Sequence, residues 1–379
     1  MSEPVATASA RPPAAGGTWL ATIARQRELS LVAIMFVLGG LVSIAAPQFL
    51  TSSNLSQVAV QASIIAVAAV GEALVILTRN VDLSVEATIG LVAYAVARLL
   101  ELKAVSPIEA VVIGMLLGLV LGMVNGAIIT LFKVPSIVAT LGTLSIFRGI
   151  DYLVAGSHQV PVDGLPGDLT AISSGSILGL PIFVVIAVVI VLIGSALMRW
   201  TRFGRQIYAV GSNPEAAAVL GIRSRLVVFT TFALCGLLAG VAGVMWVIEY
   251  GTINGTAATG VVLSIIAACV VGGVNIFGGS GSLAGAAIGA LFLGFVANAL
   301  ILVGLSQFWL QAIYGVVILA AVSADALILR RVQRATIVER ARCQPRRRHL
   351  SHGAPGPRGS SAGRCSWRSP WSACSSWAT

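Results

Sequence analysis

Residues 108–131 read IEAVVIGMLLGLVLGMVNGAIITL, in which Glu109 is the only charged residue. At about 1.5 Å per residue, a helix of this length covers the ~30 Å hydrocarbon core of a bilayer. Lipid offers no hydrogen bonds to the backbone, so the segment must satisfy its own N–H and C=O groups as a helix. Strands of a membrane barrel would alternate polar and apolar residues, and this stretch does not. It therefore predicts a transmembrane helix.

Apolar runs of this kind recur along the whole chain. Apolar residues make up 57% of the sequence and charged residues 10%, well below the ~25% charged residues of soluble domains. We therefore predict an all-α polytopic bundle of about ten transmembrane helices. Glycines recur at every fourth position from Gly114 to Gly126, which predicts that neighbouring helix backbones approach closely. The predicted spans are residues 29–46, 58–77, 84–100, 108–131, 136–155, 181–198, 226–248, 259–274, 283–303 and 308–329.

Basic residues predict the orientation of the bundle, because the inner loops of membrane proteins are rich in Lys and Arg. With the amino terminus in the cytoplasm, ten of the 13 basic residues within residues 1–329 fall in inner segments. Both termini are then cytoplasmic. We expect a cytoplasmic tail over residues 1–28, the transmembrane domain over 29–329 and a basic, disordered tail over 330–379.

The tail after about Ala335 differs in composition from the rest of the chain. Residues 330–379 hold 11 Lys and Arg but one acid, Glu339, so the net charge of +10 arises in the tail and does not indicate nucleic-acid binding. The tail is either a native basic segment that lies against the anionic inner leaflet or the product of a shifted reading frame in GC-rich coding sequence. We prefer the second interpretation, because the predicted spans are complete before it.

The sequence lacks the residue patterns that are typical of catalytic and metal-binding sites. A nucleotide-binding P-loop needs GxxxxGK followed by Ser or Thr, and neither Lys103 nor Lys133, the two lysines of the chain, ends such a loop. Cys235 and Cys269 lie in apolar spans without CxxC or Cys/His spacing. We expect no catalytic residue, no metal and no cofactor, so any ATP-driven work needs another subunit.

One inner loop contains a short helix pattern. Residues 203–225 read FGRQIYAVGSNPEAAAVLGIRSR, where Asn213 can cap a helix, Pro214 suits its first position and Glu215 favours its positive end. Gly221 is a typical residue for ending a helix. A short helix in a basic cytoplasmic loop suits a partner's groove, and an ordinary surface helix explains the same pattern equally well.

Several motifs then resemble one family. Glu215-Ala216-Ala217-x-x-x-Gly221 resembles the EAAxxxG coupling motif of ATP-binding-cassette importer permeases. Four further blocks resemble the sugar-importing branch, and within it the Thr78-Arg79-Asn80 variant is similar to rhamnose and autoinducer permeases. Together the motifs cover about residues 30–329. The blocks are Phe203-Gly204-Arg205-x-x-Tyr208-Ala209-x-Gly211-x-Asn213, Leu77-Thr78-Arg79-Asn80-Val81-Asp82-Leu83-Ser84-Val85, Val134-Pro135-Ser136-Ile137-Val138-Ala139-Thr140-Leu141-Gly142-Thr143 and Gly278-Gly279-Ser280-Gly281-x-x-x-Gly285.

The resemblance implies a permease subunit in the bacterial inner membrane that moves a monosaccharide-like solute such as ribose or rhamnose. Its implied partners are an ATP-binding subunit, an extracytoplasmic solute-binding protein, a second permease chain (the same or a paralogue) and membrane lipid, with no nucleic acid. Glu86 departs from the family, which has a small glycine there, so we expect an altered turn or an added acid near the inner mouth. The residues implied for coupling to the ATP-binding subunit are Gly204, Arg205, Gly211, Asn213, Glu215, Ala216, Ala217 and Gly221.

Polar residues inside spans are costly in lipid and should face the bundle interior. Amides could hydrogen-bond a sugar along a translocation path, or they could bond helix to helix. Arg148 and Asp151, one turn apart, are expected to pair with each other. The candidates for the path are Gln61, Glu72, Asn125, Asn298 and Gln311.

Two alternatives stay open at this point. An ion- or proton-coupled secondary transporter would need charged groups within the spans, and Glu72 is the candidate for such a group. Residues 64–71 (IIAVAAVG) are similar to residues 265–272 (IIAACVVG), which indicates either a parallel internal repeat or a chance match of apolar residues.

Overall fold

The computed structural model describes residues 27–161, 166–167, 169, 172, 175–306, 309–320 and 323. Within them the fold is helical, which confirms the all-α prediction. The strands among these residues are the short pair β1 (Ser176–Ile177) and β2 (Leu180–Pro181), and a 3-10 turn covers Pro47–Leu50. The helices are α1 (Arg27–Ala45), α2 (Ser52–Leu77), α3 (Val85–Glu101), α4 (Pro107–Phe132), α5 (Ser136–Ala155), α6 (Ile182–Trp200), α7 (Arg202–Ser212), α8 (Pro214–Val219), α9 (Ser224–Tyr250), α10 (Val261–Val271), α11 (Leu283–Leu302) and α12 (Trp309–Ala320).

Six of these helices are long and apolar enough to cross a membrane: α2, α4, α5, α6, α9 and α11. The structure corrects the span predicted at residues 259–274, where α10 has 11 residues and a length of about 16 Å. Glycines cause the difference. Gly260 (φ +85°) precedes α10 and Gly273 (φ +89°) follows it, and both adopt left-handed conformations that interrupt the helix. Residues 1–26 of the predicted amino-terminal tail (1–28) and the whole predicted tail at 330–379 lie outside the described residues.

Helix α2 is the centre of the bundle. Its side chains are buried almost continuously from Val58 to Leu77, and it packs against α6, α9, α10 and α11. Ser106 and Glu109 form a reciprocal capping box at the start of α4, which satisfies backbone N–H groups where that helix begins. The core therefore combines one helix that is surrounded along most of its length with long helices that expose one side.

Helices α4 and α9 approach so closely that their backbones touch. A Cβ atom on Gly118 would lie 2.3 Å from the carbonyl oxygen of Gly236, and a Cβ on Gly236 would lie 2.3 Å from that of Gly118. One turn further along α4, a Cβ on Gly122 would lie 2.3 Å from the carbonyl oxygen of Phe232. The glycine stripe therefore serves the close packing expected of small residues in membrane helices.

We predict that Gly118→Ala destabilises the protein and that Gly142→Ala does not. The added methyl at 118 must displace the α9 backbone, at a cost of about 1–3 kcal/mol, whereas a Cβ at Gly142 has no neighbouring atom within 4 Å. Thermal unfolding of the purified variants in detergent measures the difference. Equal melting temperatures for the two variants would contradict this account of the α4–α9 contact.

Candidate functional site

The inner loop between α6 and α9 folds into two short helices. Thr201 caps α7 by accepting a hydrogen bond from the Gly204 N–H at 3.1 Å. A Cβ on Gly204 would lie 2.3 Å from the carbonyl oxygen of Met198, so glycine lets α7 turn back against the end of α6. The predicted cap of α8 is present, because Asn213 Oδ1 accepts hydrogen bonds from the N–H groups of Glu215 and Ala216 at 3.1 and 3.0 Å.

Helix α8 has one buried residue and one exposed apolar end. Ala217 is 2% exposed and belongs to the hydrophobic core, which fixes α8 to the bundle. Val219 and Leu220 are 88% and 78% exposed. Gly221 follows in a left-handed conformation (φ +78°) and turns the chain toward α9. Helix α8 therefore ends in an adjacent pair of exposed apolar side chains on the inner loop.

A cavity of about 250 Å³ lies at the carboxyl end of α8, between α7 and the first turns of α9. Its lining combines apolar side chains with Arg223 and Gln206. Gly221, which directly follows the exposed pair in the chain, is one of the lining residues. The lining residues are Phe203, Gln206, Gly221, Arg223, Leu226, Val227 and Thr230.

The remaining residues of the predicted coupling set differ in their environments. Glu215 and Ala216 are exposed, as are Arg205 and Asn213. Gly211 is buried at the end of α7, where a Cβ would lie 1.8 Å from the carbonyl oxygen of Leu77. Sequence reasoning missed Val219 and Leu220, because a helix of six residues is too short to show a periodic apolar face.

Two of the five candidate path residues come together. Glu72 Oε1 accepts a hydrogen bond from the Asp82 N–H at 3.0 Å. Asn125 Nδ2 donates to Ser84 Oγ at 2.7 Å and approaches both Asp82 oxygens at 3.4 Å. All four residues are buried. This polar cluster bonds α2 and α4 to the segment between α2 and α3.

The other three candidates lie elsewhere in the structure. Gln61 is exposed and lies about 16 Å along α2 from Glu72. Asn298 exchanges hydrogen bonds with Asn54 at 2.8 and 2.9 Å, joining α11 to α2. Gln311 is exposed, with its side-chain nitrogen beside Gly260. For Glu72, Asn125 and Asn298, the helix-to-helix interpretation describes the observed bonds.

Three buried charged residues meet at the start of α10. Glu86 Oε2 accepts hydrogen bonds from the N–H groups of Gly260 at 2.9 Å and Val262 at 3.2 Å, and its Oε1 lies 3.7 Å from Arg148 Nη2. Arg148 also pairs with Asp151 at 3.5 Å, as predicted, and donates to the carbonyl of Ala257 at 2.8 Å. Glu86 therefore satisfies the first N–H groups of a short helix.

Among the described residues, no group of three or more His, Cys, Asp or Glu side chains could hold a metal ion.

Tyr208 of the inner loop makes a structural hydrogen bond. Tyr208 OH donates to the carbonyl of Gly281 at 2.8 Å, and burial raises the pKa of this tyrosine, so it stays a neutral donor at physiological pH.

Comparison with known proteins gives a consistent result. The family model described as "Branched-chain amino acid transport system / permease component" matches residues 54–322. The autoinducer 2 import system permease protein LsrC of Shigella flexneri is 36% identical over 306 residues, which cover 80% of this chain and 88% of the relative. The protein of that name from Enterobacter sp. (strain 638) is 35% identical over 346 residues, 89% of this chain and 98% of the relative. No solved structure matches the chain.

Long apolar helices, buried polar bonds between them and a folded inner loop define a multi-pass membrane transport protein. The chain belongs to the family of transport-system permease components that matches it over residues 54–322. It is the permease subunit of an ATP-binding-cassette importer of the sugar-transporting type, it lies in the inner membrane, and it is a transport subunit rather than an enzyme.

We predict that Arg148→Met lowers stability far more than Arg98→Met. Removing Arg148 leaves two buried carboxylates without their cation, at a cost of about 3–5 kcal/mol. Arg98 pairs with Glu101 and contacts His158 at a partly exposed position, where such a pair contributes about 0–1 kcal/mol. Melting temperatures in detergent check this, and a similar loss for both variants would contradict the role given to Arg148.

Proposed function

We propose that α8 docks onto the ATP-binding subunit of the importer and transmits ATP-driven movement to the bundle. The observation that carries this proposal is the two-sided character of α8. Its inner side is attached to the core through Ala217, while Val219 and Leu220 remain exposed beside the 250 Å³ cavity. An apolar pair on a cytoplasmic helix is suited to burial in a partner's groove, at roughly 25 cal/mol for each Å² of apolar surface removed from water.

We further propose that the solute is autoinducer 2 or a related sugar-like molecule. The support comes from relatives that import autoinducer 2, as their names state, and that this chain resembles over 80% or more of its length. Ribose and rhamnose are the competing solutes. The proposed partners are the ATP-binding subunit, an external solute-binding protein that delivers the solute, and a second permease chain that is the same or a paralogue.

We predict that Leu220→Asp weakens binding of the ATP-binding subunit at least tenfold, because a carboxylate then replaces a buried apolar contact. Leu178→Asp is the matched control, since Leu178 is 100% exposed in the turn between β1 and β2. Affinity is measured by titrating the ATP-binding subunit onto permease in nanodiscs. Equal binding of the ATP-binding subunit by Leu220→Asp and Leu178→Asp would refute the docking assignment.

Two further variants of the same loop test coupling. Glu215→Lys and Gly221→Asp should insert normally into the membrane and lose solute-stimulated ATP hydrolysis.

We also predict that uptake needs ATP and not an ion gradient. The competing function, an ion-coupled transporter, is supported by one observation, the buried pair of acids Glu72 and Asp82. Proteoliposomes that contain the complete importer and internal ATP should take up autoinducer 2 even after an uncoupler collapses the proton gradient. Uptake that stops with the gradient at constant ATP would favour the competing function. Uptake of ribose or rhamnose in preference to autoinducer 2 would change the proposed solute alone.

A further inference from the structure

The end of α7 is held by an arginine from a distant part of the chain. Arg79 follows α2 in a left-handed conformation (φ +66°). Its Nε donates to the carbonyl of Gly211 at 2.5 Å and its Nη2 donates to the carbonyl of Ser212 at 2.6 Å. These are the last two residues of α7, whose carbonyl groups have no partner within the helix and form its negative end. One guanidinium therefore fixes the point from which α8 begins.

A second inner turn reaches the same point. The N–H of Gly279, in the turn between α10 and α11, donates to the carbonyl of Leu77 at 3.0 Å. A Cβ on Gly279 would lie 2.7 Å from Ser212 Oγ, and a Cβ on Gly278 would lie 2.5 Å from Arg79 Cγ. Tyr208 of α7 bonds the carbonyl of Gly281 in the same turn. The two turns and the end of α7 are thus in direct contact.

These two turns occupy corresponding places in the chain. The first follows the residues 64–71 and leads into α3, and the second follows the similar residues 265–272 and leads into α11. The first also leads directly to Asp82, which bonds Glu72, Ser84 and Asn125 inside the bundle. The junction of Arg79, Gly211 and Gly279 therefore touches both turns, and the first of these turns continues into the buried polar cluster.

We propose that Arg79 is a positioning residue that couples α8 to both inner turns at once, so that one displacement of the loop moves α3 and α11 together. This rests on the proposed function of α8. The guanidinium suits the role because its fixed planar fork bonds two adjacent carbonyls in one geometry, whereas a lysine ammonium holds a position less strictly. If Arg79 only capped α7, it would contribute to stability, and its removal would not change the stimulation of ATP hydrolysis by the loaded binding protein.

The experiment compares Arg79→Ala and Arg79→Lys with the wild type in nanodiscs that contain the ATP-binding subunit and the binding protein loaded with autoinducer 2. Arg202→Ala is the matched control, because Arg202 is an exposed arginine at the start of the same helix. We expect Arg79→Ala to bind the ATP-binding subunit with unchanged affinity and to keep the basal rate of ATP hydrolysis, while stimulation by the loaded binding protein falls at least tenfold. Arg79→Lys should retain part of the stimulation, and Arg202→Ala all of it.

Full stimulation of ATP hydrolysis in Arg79→Ala overturns the proposal. A loss of affinity for the ATP-binding subunit that accounts for the whole fall in stimulation also overturns it. If Arg79→Ala does not assemble, Arg79→Lys decides: reduced stimulation at unchanged affinity supports the proposal, and full stimulation overturns it. Failure of the docking assignment is seen separately, as unchanged binding by Leu220→Asp. Absence of stimulation in the wild type refutes autoinducer 2 as the solute, and the comparison is then made with ribose and rhamnose.

Discussion

Every polar group inside this bundle needs a protein partner, because lipid provides none. This constraint explains the long helices, but it matters most where helices stop inside the bundle. The chain breaks between α2 and α3 and again on both sides of α10, and each break frees backbone N–H groups. Glu72 accepts the N–H of Asp82 at the first break, and Glu86 accepts those of Gly260 and Val262 at the second. The buried acids thus allow irregular backbone at places where water is excluded.

A side chain connects the first break to the inner loop. The last carbonyls of α7 accept hydrogen bonds from Arg79, which belongs to that break. Contacts of backbone with backbone at Gly279 and Leu77 join the two inner turns without any flexible side chain between them. These contacts hold the inner loop and the two turns directly against one another.

The sequence predicted those features that depend on neighbouring residues. Apolar runs identified the long helices such as α4, the recurrence of glycine at every fourth position indicated a close helix contact on α4 without its partner, and Asn213 and Pro214 predicted the start of α8. Features that depend on distant residues were not predictable. The partners of Glu86 lie 174 and 176 positions away and those of Arg79 lie 132 and 133 positions away, and no local pattern encodes such pairings. The length of α10 was overestimated because apolar residues continue past the glycines that end it. The coupling roles of the inner-loop residues remain predictions.

The reciprocal contact of Gly118 and Gly236 has a consequence for how the protein is made. The second glycine leaves the ribosome 118 residues after the first, which at 5–20 residues per second is a delay of roughly 6–24 s. During that interval α4 is already synthesised while the groove it will occupy on α9 does not exist. Asn125 already has one of its partners during that interval, because Ser84, just before α3, is synthesised earlier than α4. Biogenesis of this permease therefore passes through a half-built bundle whose central seam is open.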